Sequence, residues 1–146
     1  MLEELTIMVN TVNVSGYEGN PPGSDAEVRI IRGGPIYSVA KVKAALEQKG
    51  AVTWTADAGE DLQDLDLTTD GAITLINQAI SNGRFLNSQW CQQKPGGPWA
   101  ACDSYRLALY EWNDNAHREL ESEYYLKFAI AKSGALVFII SCHLSS

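Results

Sequence analysis

Three strand-like segments follow one another in the last third of the sequence, at Asp103–Trp112, Leu120–Ala131 and Ala135–His143. They are joined only by Asn113-Asp114-Asn115 with its flanking residues and by Lys132-Ser133-Gly134. Short connections of this kind favour antiparallel pairing of consecutive strands. The sequence therefore predicts an antiparallel meander in this part of the chain.

Two helical patterns precede these strands. Apolar residues recur on one helix face from Ser38, a good N-cap, to Gly50. Thr69-Asp70-Gly71 begins a second helix, which Asn82-Gly83 ends. The acidic stretch between the two helices is predicted as a loop or a broken helix. Because two or three helices on one face of an antiparallel sheet make an α+β domain, α+β is the predicted fold class.

A length of 146 residues fits a single domain over residues 1–146, with one hydrophobic core. Strand character at residues 5–14 and 26–32 predicts an N-terminal β-hairpin, which makes residues 1–36 an extension of a core at 37–143. The segment from Phe85 to Trp99 is mostly polar and contains Pro95-Gly96-Gly97-Pro98. It is predicted as an exposed loop, where Trp90 and Trp99 could stack on bases.

The net charge of −7 argues against binding nucleic acid through a broad positive field. The excess of acids is uneven. Residues 1–73 hold 12 acidic and 5 basic side chains, whereas residues 74–146 hold 6 of each. A local basic site in the second half of the chain is therefore compatible with the low overall charge.

Three cysteines without a CxxC spacing indicate neither a disulfide framework nor a zinc site. The first five residues carry acids where a secretory signal has bases, and no apolar run reaches the length of a membrane span. These features predict a cytoplasmic protein with reduced thiols, without membrane contact, metal or cofactor.

Residues alternate between the two faces of a strand, so Arg106 is predicted on the opposite face from Tyr105. In the last strand, one face is predicted to carry Val137, Ile139, Ser141 and His143.

A particular order of residues runs through the second half of the chain. It consists of Asp70-Gly71, a helix, Arg84-Phe85, a Trp-bearing segment, Asp103-Ser104-Tyr105-Arg106, Tyr125-Leu126-Lys127 and an apolar last strand. This order resembles the MqsR toxin family, which has the RelE-like fold of mRNA interferases. The resemblance covers roughly residues 37–143 and leaves the N-terminal extension outside it.

The resemblance implies a metal-independent mRNA endoribonuclease that a partner antitoxin neutralises. Such an enzyme needs a base for the ribose 2′-hydroxyl, an acid for the leaving 5′-oxygen, and cations for the charge that builds on phosphate. The required 2′-hydroxyl restricts the chemistry to RNA and excludes DNA.

The family's active-site positions are only partly kept here. Its tyrosine falls on Tyr125, its lysine on Asn87, its glutamine near Cys102, and its C-terminal lysine on or beside His143. An asparagine can supply neither a charge nor a proton at neutral pH. The alteration at these positions leaves a second interpretation open, a non-catalytic binding or assembly module on the same fold.

Tyr125 and His143 are the candidate catalytic residues. His143 is the best acid–base group in the sequence, although a half-exposed histidine near a strand end is the commoner outcome. A tyrosine in a sheet likewise often serves only packing. The candidate substrate contacts are Arg84, Arg106, Lys127, Asn87 and Trp99. A homo-oligomer, and a small-molecule site at the Trp-bearing segment, remain open alternatives.

Overall fold

The computed structural model describes residues 11–22 and 29–145. The strands are β1 (Ile30–Ile31), β2 (Ala51–Thr53), β3 (Arg84–Gln92), β4 (Trp99–Asn113), β5 (Arg118–Ile130) and β6 (Val137–Leu144). The helices are α1 (Val39–Gln48), α2 (Ala56–Asp64) and α3 (Thr69–Asn82). No helix in these described ranges has both the length and the apolar character needed to cross a bilayer.

The strands form one sheet in the order β1-β3-β4-β5-β6-β2. Strands β3 to β6 are a meander of antiparallel neighbours, while β2 adds to the outer side of β6 in parallel. The predicted α+β class and the antiparallel meander are therefore confirmed.

The hydrophobic core lies between α1, α3 and one face of the sheet. Apolar residues of α1 and α3, among them Val42, Ile76 and Ala79, are buried together with Tyr105 and Phe128 of the sheet. The two aromatic rings are stacked at 5.8 Å between centroids. The predicted helices begin where expected, since the hydroxyls of Ser38 and Thr68 cap α1 and α3.

The acidic stretch contains a regular helix, α2, that lies along the free edge of β6. Its N-cap Thr55 donates a hydrogen bond to the Ile140 carbonyl oxygen (3.0 Å), and Asp61 accepts one from the backbone N–H of Cys142 (2.9 Å). These bonds satisfy backbone groups of β6 beyond the three residues that β2 pairs.

The predicted N-terminal hairpin falls largely on residues 1–10 and 23–28, which lie outside the described residues. In the described part of the extension, the two predicted strands of the hairpin have different partners in the sheet. Asn13 and Ser15 form isolated bridges with Trp99 and Ala131, whereas β1 pairs with β3. The extension is thus tied to the core of the sheet at both of its described segments.

The predicted exposed loop from Phe85 to Trp99 is wrong for most of its length. Residues Arg84–Gln92 are β3, a strand between β1 and β4, and Trp90 and Cys91 within it are buried. A β-bulge between Phe85 and Asn87 interrupts the alternation of this strand, and Arg84, Asn87 and Gln89 face the side of the sheet that the helices do not cover.

A second bulge changes the faces predicted for β6. Lys127 pairs with Ser141 and the next residue, Phe128, pairs with Ile139, so Ile140 is an extra residue in the ladder. Ile139 consequently lies in the core with Cys142, while Ser141 and His143 lie on the opposite face. The prediction of one shared face from Val137 to His143 is therefore wrong.

Asp103 joins the segment before α1 to the middle of the sheet. Its side chain is 0% exposed and accepts hydrogen bonds from the backbone N–H groups of Ile36 and Tyr37 (3.1 and 3.0 Å) and from the Ser88 hydroxyl (2.5 Å). Tyr37, in turn, donates its hydroxyl to the carbonyl oxygen of Ala101 at 2.6 Å. The buried carboxyl group of Asp103 thus holds the residues just before α1 against β3 and β4.

Candidate functional site

The side of the sheet opposite α1 and α3 presents polar and charged side chains; we call it the open face. Directly paired residues of antiparallel strands project to the same side of a sheet. The register therefore places two rows of side chains across β3 to β6. The arginine row consists of Arg84, Arg106, Tyr125 and His143, and the lysine row beside it consists of Asn87, Ser104, Lys127 and Ser141.

The arginine row brings two like charges together. Arg84 and Arg106 are direct partners across β3 and β4, an arrangement that costs stability unless an anion or a carboxylate lies close. Arg106 Nε approaches Glu123 Oε1 at 3.7 Å, and both side chains remain about 40% exposed (38% and 42%). Within the described ranges this buried Nε has no hydrogen-bond partner, so the guanidinium has unused capacity for an acceptor.

Tyr125 and His143 form the other half of the arginine row. Their rings stack at 5.2 Å between centroids with an interplanar angle of 28°. His143 Nδ1 lies 3.1 Å from the Leu144 carbonyl oxygen. A carbonyl oxygen only accepts, so Nδ1 is the donor in this contact; in the neutral ring with its proton on Nδ1, Nε2 is the nitrogen that can accept a proton. The Tyr125 hydroxyl donates to Ser104 Oγ at 3.2 Å.

Lys127 links the two rows. Its Nζ lies 5.7 Å from the centroid of the Tyr125 ring, within the range of a cation–π contact. Burial lowers the pKa of Lys127, but the negative charge of the Cys91 thiolate and the interaction with the Tyr125 hydroxyl raise it more, so that the net pKa is above its ordinary value. Lys127 is therefore a permanent cation at neutral pH.

A cavity of about 670 Å³ opens beside the lysine row. It lies between the open face, the first residues of α2 and the turn after β3, which is tied down where Gln93 Nε2 donates to the Trp54 carbonyl oxygen (2.8 Å). Its charged lining consists of Arg29, Lys94, Lys127 and Asp57. Among the described residues of the lining, three cations face one carboxylate, which makes this part of the cavity locally positive in a chain of net charge −7.

A pair of thiols lies at the edge of this cavity. Cys91 lines it, and Cys102 lies on the neighbouring strand, wholly buried. The neighbouring Cys102 is the main cause that lowers the pKa of Cys91; burial opposes it, and Lys127 and Gln89 lower the pKa further. The Cys102 thiol itself donates to the Ala100 carbonyl oxygen (3.5 Å). Burial raises the pKa of Cys102. The pair therefore holds its negative charge on Cys91.

The structure brings most of the predicted site residues onto one face. Tyr125, His143, Arg84 and Arg106 share the arginine row, and the lysine row contains Lys127 and Asn87. As predicted, Tyr105 lies on the other side of β4, in the core.

Trp99 is the exception among the predicted substrate contacts. It is 0% exposed and packs in a second apolar cluster with Trp90 and Ala101, so its predicted role as a stacking surface for bases is wrong. The guanidinium of Arg29 lies 5.0 Å from the centroid of its ring. An indole ring is large and mostly apolar, so Trp99 is buried in the interior even though it adjoins a Pro-Gly turn.

Four residues of the site were missed by sequence reasoning: Ser104, Ser141, Gln89 and Cys91. Three of these four side chains are uncharged polar groups, and the fourth is a thiol in a segment predicted as a loop. The signal that could have found them is the partner register of the meander, which aligns Asn87, Ser104, Lys127 and Ser141 once β3 is recognised as a strand.

No group of three His, Cys, Asp or Glu side chains within residues 11–22 and 29–145 could hold a metal ion. No protein-family model, curated protein or solved structure matches this chain.

Proposed function

We propose that this chain is a metal-independent endoribonuclease that binds single-stranded RNA on the open face. The observation that carries the proposal is the arginine row, in which a histidine with a free Nε2 stacks on a tyrosine beside two arginines. Lys127 adds a third cation at the adjacent row. Base, hydroxyl donor and phosphate-binding cations are the three groups that RNA cleavage without a metal requires.

In the proposed reaction, His143 Nε2 removes the proton of a ribose 2′-hydroxyl. The 2′-oxygen attacks the adjacent phosphorus, and the bond to the 5′-oxygen of the next nucleotide breaks. Tyr125 donates its hydroxyl proton to that leaving oxygen. The products are a 2′,3′-cyclic phosphate and a free 5′-hydroxyl, and the proton taken up by His143 returns to Tyr125 through solvent.

The arginines and Lys127 stabilise the charge that builds on the phosphate oxygens. A bound phosphate would also relieve the repulsion between Arg84 and Arg106 and give the guanidinium of Arg106 an acceptor. Asn87 is exposed at the end of the lysine row, where its amide can donate to a ribose or a base but cannot act as an acid.

The direct test is incubation of the purified chain with a mixed-sequence RNA in the presence of EDTA. We expect cleavage that leaves 2′,3′-cyclic phosphate ends and stops when the nucleotide 5′ to the cut carries a 2′-deoxyribose. Intact RNA after incubation with a folded, ribonuclease-free preparation would falsify the nuclease proposal.

Phosphate binding by the arginine row predicts a specific change in salt dependence. We expect Arg106→Gln to weaken RNA binding and to lower the slope of log affinity against log salt by about 0.7, the value for one neutralised phosphate of a single strand. Fluorescence anisotropy between low and physiological salt measures this slope.

The matched control is Arg118→Gln. Arg118 pairs with Asn113 at the far end of β4 and β5, and its position in the register places it on the side of the strands opposite Arg106. Its replacement should leave the slope unchanged. Equal slopes for both variants and the wild type would place the RNA on another surface.

The second candidate function is RNA binding without cleavage. It is favoured by Asn87, which stands where the MqsR family has a lysine, and by Glu123, which competes with phosphate for Arg106. In this case the anisotropy titration gives the same arginine dependence, while the RNA stays intact over the whole time course.

The proposal includes a protein antitoxin that covers the open face and a location in the cytoplasm. Three buried free thiols suit a reducing compartment. A neighbouring reading frame for a helix-turn-helix protein, and growth arrest on expression of this chain that the neighbour relieves, would support the pairing.

A further inference from the structure

The second feature of the open face that can carry chemistry is the cavity at Cys91. Of the three cysteines, Cys91 is the one that lines this cavity, whereas Cys102 and Cys142 are each 0% exposed. Lys127 and Gln89 line the same cavity, and Gln89 Nε2 lies 3.8 Å from Cys91 Sγ. The Gln89 amide, which donates to the sulfur, and the ammonium group of Lys127 in the same cavity both favour the thiolate form of Cys91.

The charge of the cavity indicates what can approach this sulfur. Arg29 and Lys94 add two cations to Lys127, and Asp57 is the one acid that the described part of the chain contributes to the lining. The volume of about 670 Å³ is in the range of small-molecule sites. A small ligand that carries carboxylates is therefore attracted, and a cationic ligand of the same size is repelled.

We propose that Cys91 is a modification site, a nucleophilic thiol that undergoes exchange with small disulfides bearing carboxylate groups. The Cys91 thiolate attacks one sulfur of the disulfide and forms a new S–S bond. The original S–S bond breaks, and its electron pair leaves with the second sulfur as a free thiolate. Cys91 is thereby oxidised to a mixed disulfide, and one half of the reagent is reduced.

Cys102 does not resolve this mixed disulfide. Cys91 pairs with Ala100, and Cys102 pairs with Gln89, so the two cysteines are diagonal neighbours on β3 and β4. Diagonal positions have Cα atoms about 7–8 Å apart, whereas a disulfide needs about 4.4–6.8 Å. Cys102, whose thiol donates to the Ala100 carbonyl oxygen (3.5 Å), therefore forms no disulfide with Cys91, and the adduct persists until an external thiol removes it.

The test uses the full reduced chain with two small disulfides of opposite charge, dithiodiglycolate and cystamine. Intact mass and peptide mapping should find one adduct, on Cys91, with Cys142 unmodified in the native protein. With rates normalised to free cysteine, we expect dithiodiglycolate to react about 10-fold faster than cystamine. The pH midpoint of the rate should lie below that of an ordinary cysteine, about 8.5.

Two lysine variants test whether the charge of the cavity, and not simply the exposure of the thiol, sets the reactivity of Cys91. Lys127→Met should raise the pH midpoint by about one unit and reduce the preference for the anionic reagent. Lys132→Met, at the exposed turn after β5, should change neither. Cys91→Ala should abolish the adduct.

Three results would overturn the proposal: an adduct on Cys102 or Cys142 instead of Cys91, no adduct until urea unfolds the chain, or equal normalised rates for the two reagents. The assay measures thiol chemistry alone. Its outcome is therefore independent of whether the chain cleaves RNA.

Discussion

Replacing His143 by asparagine is expected to lower the rate constant of RNA cleavage by about 10²–10⁴-fold, the usual contribution of a positioned general base. Asparagine is close to histidine in size and keeps a hydrogen-bond donor, but it cannot accept a proton at neutral pH. His143 is exposed at the end of β6, so the substitution removes no core packing. Single-turnover cleavage of a fluorescent RNA measures the rate constant.

The other histidine of the chain provides a matched control. His117 lies in the turn between β4 and β5 with a φ of 52°, a conformation that asparagine adopts readily. His117→Asn should therefore cleave at the wild-type rate. Added imidazole should restore part of the activity of His143→Gly, which a merely structural histidine would not allow. A wild-type rate for His143→Asn would exclude His143 as the base.

Replacing Asp103 by alanine is expected to lower the free energy of unfolding by about 3–5 kcal/mol. The change leaves the N–H groups of Ile36 and Tyr37 and the hydroxyl of Ser88 without their shared acceptor in a buried position. It also detaches the entry of α1 from the sheet. Urea unfolding followed by circular dichroism measures the loss through the midpoint at constant slope.

An exposed carboxylate serves as the control for this substitution. Asp64 is exposed at the end of α2, and Asp64→Ala should change the stability by no more than about 0.5 kcal/mol. A similar small effect for Asp103→Ala would contradict the anchoring role of this side chain.

The titration of Asp103 adds a pH signature. Burial raises its pKa above the ordinary value of 3.8, against the opposing effect of its hydrogen bonds with Ser88, Ile36 and Tyr37. The native state therefore holds this proton more tightly than the unfolded state. Its stabilising contribution is fully present below pH 3.8 and is lost as the pH rises through the native-state pKa. The stability difference between the wild type and Asp103→Asn should shrink over this interval; a difference that grows with pH would contradict the raised pKa.

The sequence was sufficient for the parts of the fold that depend on local signals. Ser38 and Thr69-Asp70-Gly71 marked two helices, and short connections marked the meander. The strand β3 was missed because its bulge breaks the period of two and because polar side chains on its open side resemble those of a loop. The pairing of β3 with β4 depends on contacts outside the local segment, and a single sequence does not reveal such contacts.

Most residues of the site were predicted from the sequence, but only part of their placement on the strands was. Tyr125 and Lys127 share one side of β5, as alternation within that strand predicts, and Arg106 of β4 is the direct partner of Tyr125. His143 shares their face as well, although the predicted β6 faces were wrong, because the predicted pattern counted no extra residue at Ile140. The thiol pair could not be found in advance, since it forms between two strands whose register depends on the whole sheet.

The placement of α2 along β6 also has a consequence for self-association. An exposed strand edge is a template on which a second chain can add its own strand, and such edges are a common route to aggregates. Here β2 occupies the first part of the outer edge of β6, and Thr55 and Asp61 occupy backbone groups of the next part. A second chain therefore cannot add a strand directly to these parts of β6, and a Thr55→Val/Asp61→Ala double variant should aggregate sooner on heating than the wild type.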